Sequence, residues 1–397
     1  MRILFTSLLG LPHTGGLQTY LNVLSDELRR LGHQVDTLAL HRNQRCFLLM
    51  EGGRSLSTTI IRQPLTRLGS LRGAKPKRPM PPLLRYIEST RYAFELAALY
   101  FGLESYQVIH AQDVMSARAM RRVKPSHVPL VLTAHMGWDH PEPYVSFQEQ
   151  IGVRSTDLTI TPSQWLKNRF VSRYQIPPHQ ITVIPNGLDP RPFADLPGPS
   201  GGHPPHRNKI LLCAARLSPE KGHSVLLDAL AAVRRVRNDW VCWLAGDGSL
   251  RKPLTERTRR LRLQNHVLFL GNQQDVTPCL QQADIFVLPS MLENCPFSVV
   301  EAFLAGKPVV ATEAGGLPEM VAHGKTGLLS PVGDSEALAR NLLAVMEQPA
   351  LGRLLAESAR TMACERYTSQ RMAVQTAAAY QHSLLRTTGG NQNGSSS

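Results

Sequence analysis

The chain has 397 residues, of which 42% are hydrophobic and 19% are charged, and its formal net charge is +14. This length exceeds one ordinary α/β core and suits two domains, and the apolar content excludes a disordered chain. The longest apolar stretch, near Ala93 to Leu103, contains Glu95 and is shorter than the ~20 residues that a membrane span needs.

The opening residues, MRILFTSLLG, lack a small-residue cleavage site and predict a buried first strand rather than a signal peptide. The six cysteines form no C-x-x-C pair, and several fall within apolar runs such as ILLCAAR. We therefore expect reduced thiols and a cytoplasmic protein.

Short apolar, β-branched runs alternate with amphipathic stretches through the first half of the chain, which predicts a parallel sheet covered by helices. This pattern defines an N-terminal Rossmann-like domain over residues 1–189. Its predicted strands are RILFTS, QVDTLAL, QVIHAQ, PLVLTAH, DLTITPS and ITVIPN.

The positive charge is concentrated between Arg42 and Arg91, where eleven Lys or Arg residues face only Glu51 and Glu88. The densest part is RGAKPKR, from Arg72 to Arg78. This pattern is typical of a solvated loop surface, and it equally suits a phospholipid surface or a phosphorylated acceptor. Nucleic acid is not expected, because no binding motif accompanies the charge.

Residues 190–208 are rich in Pro and Gly and lack periodicity, which predicts a linker. Alternation resumes in a second doubly wound domain over residues 209–365, with strands predicted at KILLCAAR, WVCWLAGDG, HVLFLGN, DIFVLPS and PVVATEAG. A C-terminal helix over 366–386, which could return to the first domain, and a disordered polar tail over 387–397 complete the chain. Because open parallel sheets bind ligands beyond their carboxyl ends, we expect the two domains to face one another across a ligand-binding cleft.

The segment ENCPFSVVEAFLAGKPVVA places two glutamates on either side of a predicted helix start. Pro296 suits the first helical position, with Asn294 or Cys295 as cap, so the free N–H groups of Phe297 and Ser298 would attract a phosphate. Glu301 would stand about 6 Å further along the helix, which suits a ribose.

This segment resembles the E-x7-E motif of glycosyltransferase family 4, whose members are retaining enzymes of the GT-B fold. Other segments match the family in the same order and cover nearly the whole chain to about Ser383. They are GGLQTY after the first strand, PNGLD before the linker, AARLSPEKG, AGDG and AGKPVVATEAGGLPEMV. The form ENCPF departs from the commoner E-G-F-G, which leaves the sugar open.

The resemblance implies that Arg216 and Lys221 bind the donor diphosphate and take the place of a metal ion. In agreement, the sequence contains no D-x-D pair, the usual carboxylate anchor for Mg²⁺. It also implies that Glu293 contacts the sugar hydroxyls and that Glu301 contacts the ribose. His135 would hydrogen-bond the donor sugar and stabilise the developing oxocarbenium ion. Gly15 and Gly16 would bring backbone amides to a phosphate or the acceptor. The base would lie near GNQQDV, Gly271 to Val276.

The sequence thus predicts a metal-independent retaining hexosyltransferase that needs no cofactor and moves a hexose or N-acetylhexosamine, with UDP favoured as the carrier. Two alternatives stay open. One is a UDP-sugar epimerase on the same fold, for which no acid and base groups are evident. The other is a non-catalytic scaffold or polysaccharide-binding module, which would be expected to have lost part of the site.

Overall fold

The computed structural model describes residues 1–11, 15–41, 46–50, 61–62, 82–135, 143–194, 196 and 208–389. The chain divides into two compact units. Unit 1 comprises Met1–Pro162, Lys167–Ile184 and Ala373–Ser397, and unit 2 comprises Ser163–Leu166 and Pro185–Met372. The segment PNGLD, which the sequence reading assigned to the first domain, therefore belongs to unit 2.

Unit 1 contains an eight-stranded sheet in the order β4-β3-β2-β1-β5-β6-β7-β8. Strands β1, β2 and β5 to β8 are mutually parallel, whereas β3 and β4 join antiparallel at one edge. All six strands predicted for this domain are present. The strands are β1 (Arg2–Leu11), β2 (Gln34–His41), β3 (Cys46–Met50), β4 (Ile61–Arg62), β5 (Val108–Ala111), β6 (Leu130–Thr133), β7 (Leu158–Thr161) and β8 (Ile181–Val183).

Helices cover this sheet because its central strands are apolar along both faces, and β5, β6 and β7 are fully buried. The helix that follows β5 begins at a defined point, since the Asp113 carboxylate accepts a hydrogen bond from the Ser116 N–H. The helices are α1 (Gly16–Arg30), α2 (Pro82–Phe101), α3 (Val114–Val123), α4 (Pro143–Arg154), α5 (Gln164–Tyr174), which begins within unit 2, and α13 (Ser369–Gly389), which enters unit 1 at Ala373.

The described residues between Arg42 and Arg91 form regular elements, where the charge had predicted a loop surface. They belong to β3, β4 and the first half of α2, and Arg91 itself is buried. Across the described helices, none has the combined length and apolar content that crossing a bilayer would require. The motif RGAKPKR lies outside the described residues, as do most of MGWDHPEPY and of the linker and the last eight residues of the tail.

Unit 2 contains a six-stranded, wholly parallel sheet in the order β11-β10-β9-β12-β13-β14. The five strands predicted for this domain are present, and β14 is additional. The strands are β9 (Lys209–Ala214), β10 (Trp240–Ala245), β11 (Val267–Gly271), β12 (Ile285–Leu288), β13 (Val309–Thr312) and β14 (Leu328–Ser330).

The helices of unit 2 close both faces of this sheet over an aliphatic core that also contains the fully buried Trp240. Helix α13 runs to Gly389, three residues beyond the predicted end at 386. The helices are α6 (His223–Val236), α7 (Arg251–Arg260), α8 (Thr277–Gln282), α9 (Phe297–Leu304), α10 (Leu317–Met320), α11 (Ser335–Glu347) and α12 (Pro349–Arg366).

Candidate donor-binding site

Each sheet reverses its strand order at one point, and in such folds that point is where ligands bind. In unit 2 the reversal lies between the neighbouring strands β9 and β12. The loop after β9 carries Arg216 and Lys221, and the loop after β12 carries Glu293 and leads into α9. The chain order of the motifs therefore brings both loops to one edge of one sheet.

The two loops are bound to each other through backbone contacts. The Met291 N–H donates to the Glu220 carbonyl at 2.8 Å. Gly222 has φ +66°, and a Cβ atom at this position would stand 1.9 Å from the Pro289 carbonyl oxygen. Glycine is required at Gly222 both by this backbone angle and by the close approach of the second loop.

Lys221 and Glu293 form an ion pair, with 2.6 Å between Nζ and Oε1. The Ser290 hydroxyl donates to the same carboxylate oxygen at 2.8 Å, and the Gly316 N–H donates to the Glu293 carbonyl at 2.9 Å. The Glu293 side chain is 8% exposed and that of Lys221 is 21% exposed. Two of the predicted site residues are thus in direct contact, and Glu293 is held from three sides.

Arg216 is exposed. Within the described part of the chain, the structure shows no hydrogen bond or ion pair to its guanidinium. The pKa of the nearby Glu220 carboxyl is lowered against its partial burial, first by a hydrogen bond from Ser218 and last by the charges of Lys221 and Arg216. A planar cation without a fixed partner is suited to bind the oxygens of a diphosphate in a bidentate manner.

Helix α9 begins at Phe297, between Glu293 and Glu301 as predicted. The cap differs from the prediction: Pro296 occupies the capping position, with ψ 130°, and neither Asn294 nor Cys295 caps the helix. The Val299 and Val300 N–H groups donate to the Pro296 carbonyl.

No acceptor among the described residues is shown for the Phe297 and Ser298 N–H groups. These two donors and the helix dipole are therefore available to an anion. Cys295 acts through the backbone instead, since its carbonyl accepts from Asn186 Nδ2 at 2.7 Å.

Glu301 is partly buried one turn inside α9. Burial raises the pKa of its carboxyl from 4.5 to about 7, and the negative charge of Asp275 contributes further. The structure shows no hydrogen bond or ion pair to this carboxylate from any residue it describes. Hydroxyl donors from a ligand would stabilise the ionised form, as a ribose could. Asp275 belongs to GNQQDV, the segment at the end of edge strand β11. The loop that contains Asp275 therefore lies near α9.

His135 follows strand β6 in unit 1, where its Nε2 lies 3.0 Å from Gln112 Oε1. The Gln112 amide nitrogen donates to the His110 carbonyl, so its oxygen is turned towards His135. This arrangement places the proton of the imidazole on Nε2. Burial lowers the pKa of His135 to about 3, so the ring is neutral.

Gly15 and Gly16 stand at the start of α1, which follows β1 at the point where unit 1 reverses its strand order. Gly15 has φ 133°, an angle that favours glycine, and its carbonyl accepts the first helical hydrogen bonds from Gln18 and Thr19. The two glycines are exposed. They lie at the same sheet edge as Gln112 and His135.

Sequence reasoning missed three side chains that hold these groups in place. Ser290 and Asn186 fall within the segments DIFVLPS and PNGLD, and Gln112 ends QVIHAQ. Gln112 and Ser290 follow the buried strands β5 and β12, and Asn186 follows the partly buried strand β8. A polar residue just after a strand is the signal that could have identified them. Their contacts join residues far apart in the chain, so no spacing rule predicts the partners.

The architecture is that of the GT-B fold. A HepE protein from Anabaena, solved in complex with UDP, superimposes with a TM-score of 0.69 over 96% of this chain and 100% of its own, at 23% identity. A glycosyltransferase from Rickettsia africae superimposes with a TM-score of 0.71 over 96% of this chain and 98% of its own, at 20% identity.

Sequence comparisons identify the family. The model of the family described as "Glycosyltransferase Family 4" matches residues 14–191, and that of the family described as "Glycosyl transferases group 1" matches residues 201–362. The glycogen synthase of Mycobacterium tuberculosis is 30% identical over 287 residues, which cover 69% of this chain and 68% of that protein. The chain belongs to glycosyltransferase family 4.

Proposed function

We propose that this glycosyltransferase is a retaining, metal-independent hexosyltransferase that takes a hexose or N-acetylhexosamine from a nucleotide diphosphate, with UDP favoured. The acceptor would be a glycan or a lipid-linked or surface glycoconjugate precursor on the cytoplasmic side. The observation that carries the proposal is the arrangement at the β9 and β12 loop ends. There, an exposed Arg216, the Lys221–Glu293 pair and the open start of α9 belong to two loops that are hydrogen-bonded together.

These groups suit a leaving diphosphate. As the bond between the anomeric carbon and the phosphate oxygen breaks, its electron pair passes to the diphosphate, and fixed cations with backbone N–H donors stabilise the charge. No D-x-D pair is present in the sequence to anchor a divalent cation, and two cationic side chains stand in the matching motif. Metal independence is part of the proposal for this reason.

Glu293 is unsuited to act as a nucleophile, because Lys221 and Ser290 share its carboxylate oxygen Oε1. We therefore favour a front-face substitution. The acceptor oxygen bonds to the anomeric carbon on the face that the diphosphate leaves, and the acceptor proton passes to the departing phosphate oxygen. His135 would hydrogen-bond the donor sugar in this scheme, a role that stays a prediction.

The stereochemistry of the product tests the mechanism. Proton NMR of the first product formed should show the anomeric configuration of the donor sugar. An inverted product would contradict the proposal at once. A glycosyl-enzyme adduct trapped in mass spectra would replace the front-face substitution with a double displacement.

Arg216→Ala is the sharpest test of the site. Since Arg216 is exposed and has no fixed partner among the described residues, its loss should leave the unfolding temperature unchanged. Turnover should fall by about a hundredfold or more, because one charge-stabilising group is lost from the transition state. Acceptor-dependent release of UDP from a UDP-sugar is the measurement.

Arg259→Ala provides a matched control, because Arg259 is an exposed arginine on α7 and should be dispensable. Unimpaired turnover in Arg216→Ala would overturn the assignment of the site. Isomerised UDP-sugar without an acceptor would instead indicate an epimerase, and no turnover with any donor would indicate a scaffold. Lys221→Ala is a poorer test, since it would leave the buried Glu293 without its cation and destabilise the fold.

A further inference from the structure

The imidazole of His135 is held on two sides by buried side chains of unit 1. Its Nε2 lies 3.0 Å from Gln112 Oε1, and Gln112 is fully buried. The ring of Tyr20, on α1, meets the imidazole edge to face, with 4.6 Å between the ring centroids and 76° between the planes. Tyr20 is buried, whereas His135 is only partly buried. The hydrogen bond fixes the position of the imidazole proton, and the aromatic contact fixes the plane of the ring.

Both of these neighbours are connected to one residue, His110 on β5. The Gln112 amide nitrogen donates to the His110 carbonyl at 3.3 Å. On the other side, the Thr133 hydroxyl lies 3.0 Å from the Tyr20 hydroxyl and 2.7 Å from His110 Nε2. The contacts therefore form a closed circuit that begins and ends at His110. Its members in order are His110, Thr133, Tyr20, His135 and Gln112.

The circuit is buried and uncharged. Burial lowers the pKa of His110 to about 3 and raises the pKa of the Tyr20 hydroxyl above its usual range. The second ring nitrogen of His110, Nδ1, lies 2.6 Å from the Tyr380 hydroxyl of α13. Because a broken hydrogen bond here would leave a polar atom away from water, few other arrangements of these side chains are open. The circuit is thus a rigid support for the imidazole of His135.

We infer that Gln112 and Tyr20 are positioning residues for His135, and that His110 holds the two of them in place. The inference rests on the proposed function, in which His135 hydrogen-bonds the donor sugar. Gln112 and Tyr20 act through the imidazole, since both are buried. A ring that is already held in one orientation stabilises the transition state without first reorganising, and a loosely held ring loses this advantage.

A double-mutant cycle between Gln112 and His135 tests the inference. Gln112→Met keeps the length of the side chain and removes the oxygen that accepts from Nε2. In acceptor-dependent release of UDP, kcat should fall about tenfold or more with little change in the donor KM, because the orientation of the ring matters in the transition state. In protein that already carries His135→Ala, the same substitution should cost nothing further.

Tyr20→Phe repeats the cycle from the other side of the ring with a smaller change to the core. This variant keeps the aromatic ring and removes only the hydroxyl that meets Thr133. It should lower kcat severalfold, and only while His135 is present. Unfolding temperatures of all variants show whether the fold is kept, and the result from Tyr20→Phe decides if Gln112→Met does not fold.

Gln112→Glu gives a result that does not depend on turnover. A carboxylate still accepts from Nε2 but adds a negative charge, so the pKa of His135 should rise well above its value of about 3. The other titratable groups that face the imidazole among the described residues, His110 and Tyr20, are uncharged at neutral pH and do not oppose this change. Nitrogen-15 NMR of histidine-labelled protein follows the titration, and the signal lost in His135→Ala identifies the residue.

Gln34→Glu is the matched control, because Gln34 is an exposed glutamine at the start of β2. Since β2 runs parallel to β6, this position lies at the opposite edge of the sheet from His135. The control should keep both the kcat of the parent protein and its His135 pKa.

The outcomes separate this inference from the function on which it rests. If His135→Ala lowers turnover but Gln112→Met costs the same with and without His135, the circuit only stabilises unit 1 and the inference is wrong. An unchanged His135 pKa in Gln112→Glu would also overturn it. Unchanged turnover in His135→Ala would instead overturn the proposed role of His135 itself.

Discussion

Glu301 should make the proposed donor site sensitive to pH near neutrality. Its pKa is raised to about 7, first by burial and then by the charge of Asp275. If the ionised carboxylate accepts the ribose hydroxyls, donor affinity should be full above this pKa and fall as pH drops below it. The KM for the donor should be about tenfold higher near pH 6 than near pH 8, and initial rates measured against donor concentration check this.

Two variants distinguish this residue from other titrating groups. Glu301→Gln should flatten the pH dependence of KM, and Asp275→Asn should move the midpoint to lower pH. The pH dependence of folding stability has the opposite sign to the pH dependence of donor binding. Because the folded protein holds a proton that the unfolded chain releases, this group lowers the free energy of unfolding as pH rises from about 4.5 to about 7. A KM profile unchanged by Glu301→Gln would place the ribose elsewhere.

At the scale of elements, the sequence predicted the strands that lie in apolar, β-branched runs bounded by turn residues. All eleven of these segments, RILFTS through PVVATEAG, are strands in the structure. The strands that were missed are β3, β4 and β14. Strands β4 and β14 span only two and three residues, and β3 follows a basic stretch that predicted a loop. Short edge strands are stabilised by their neighbours in the sheet, which local sequence does not record.

In the candidate site, too, the residues that were predicted are those that belong to sequence motifs. Glu293 and Lys221 were identified from motifs, and their 2.6 Å contact follows from β9 and β12 being neighbours in the sheet. The start of α9 was misplaced by one residue, because proline favours the first helical position only on average, and Pro296 instead has an extended ψ. The ion pairs of Glu88 and Glu95 with Arg118 and Arg122 could not be foreseen, since the two arginines belong to another helix.

At the scale of the whole molecule, unit 1 is built from both ends of the chain. Helix α13 enters it at Ala373, and Tyr380 on this helix is fully buried. The Tyr380 hydroxyl lies 2.6 Å from His110 Nδ1, and His110 Nε2 lies 2.7 Å from the Thr133 hydroxyl. The C-terminal helix therefore completes a buried hydrogen-bond network with side chains of strands β5 and β6.

Truncation after Met372 should therefore destabilise unit 1, although most of this unit comes from the N-terminal part of the chain. Removing Tyr380 and its helical neighbours exposes the core of unit 1 and should cost at least about 3 kcal/mol, whereas unit 2 keeps all of its residues. Hydrogen exchange should show lost protection in β5 and β6, with β9 and β12 unaffected. Truncation after Gly389 is the control, because it leaves α13 whole. Equal loss of protection in both units would show that α13 stabilises the molecule as one cooperative body.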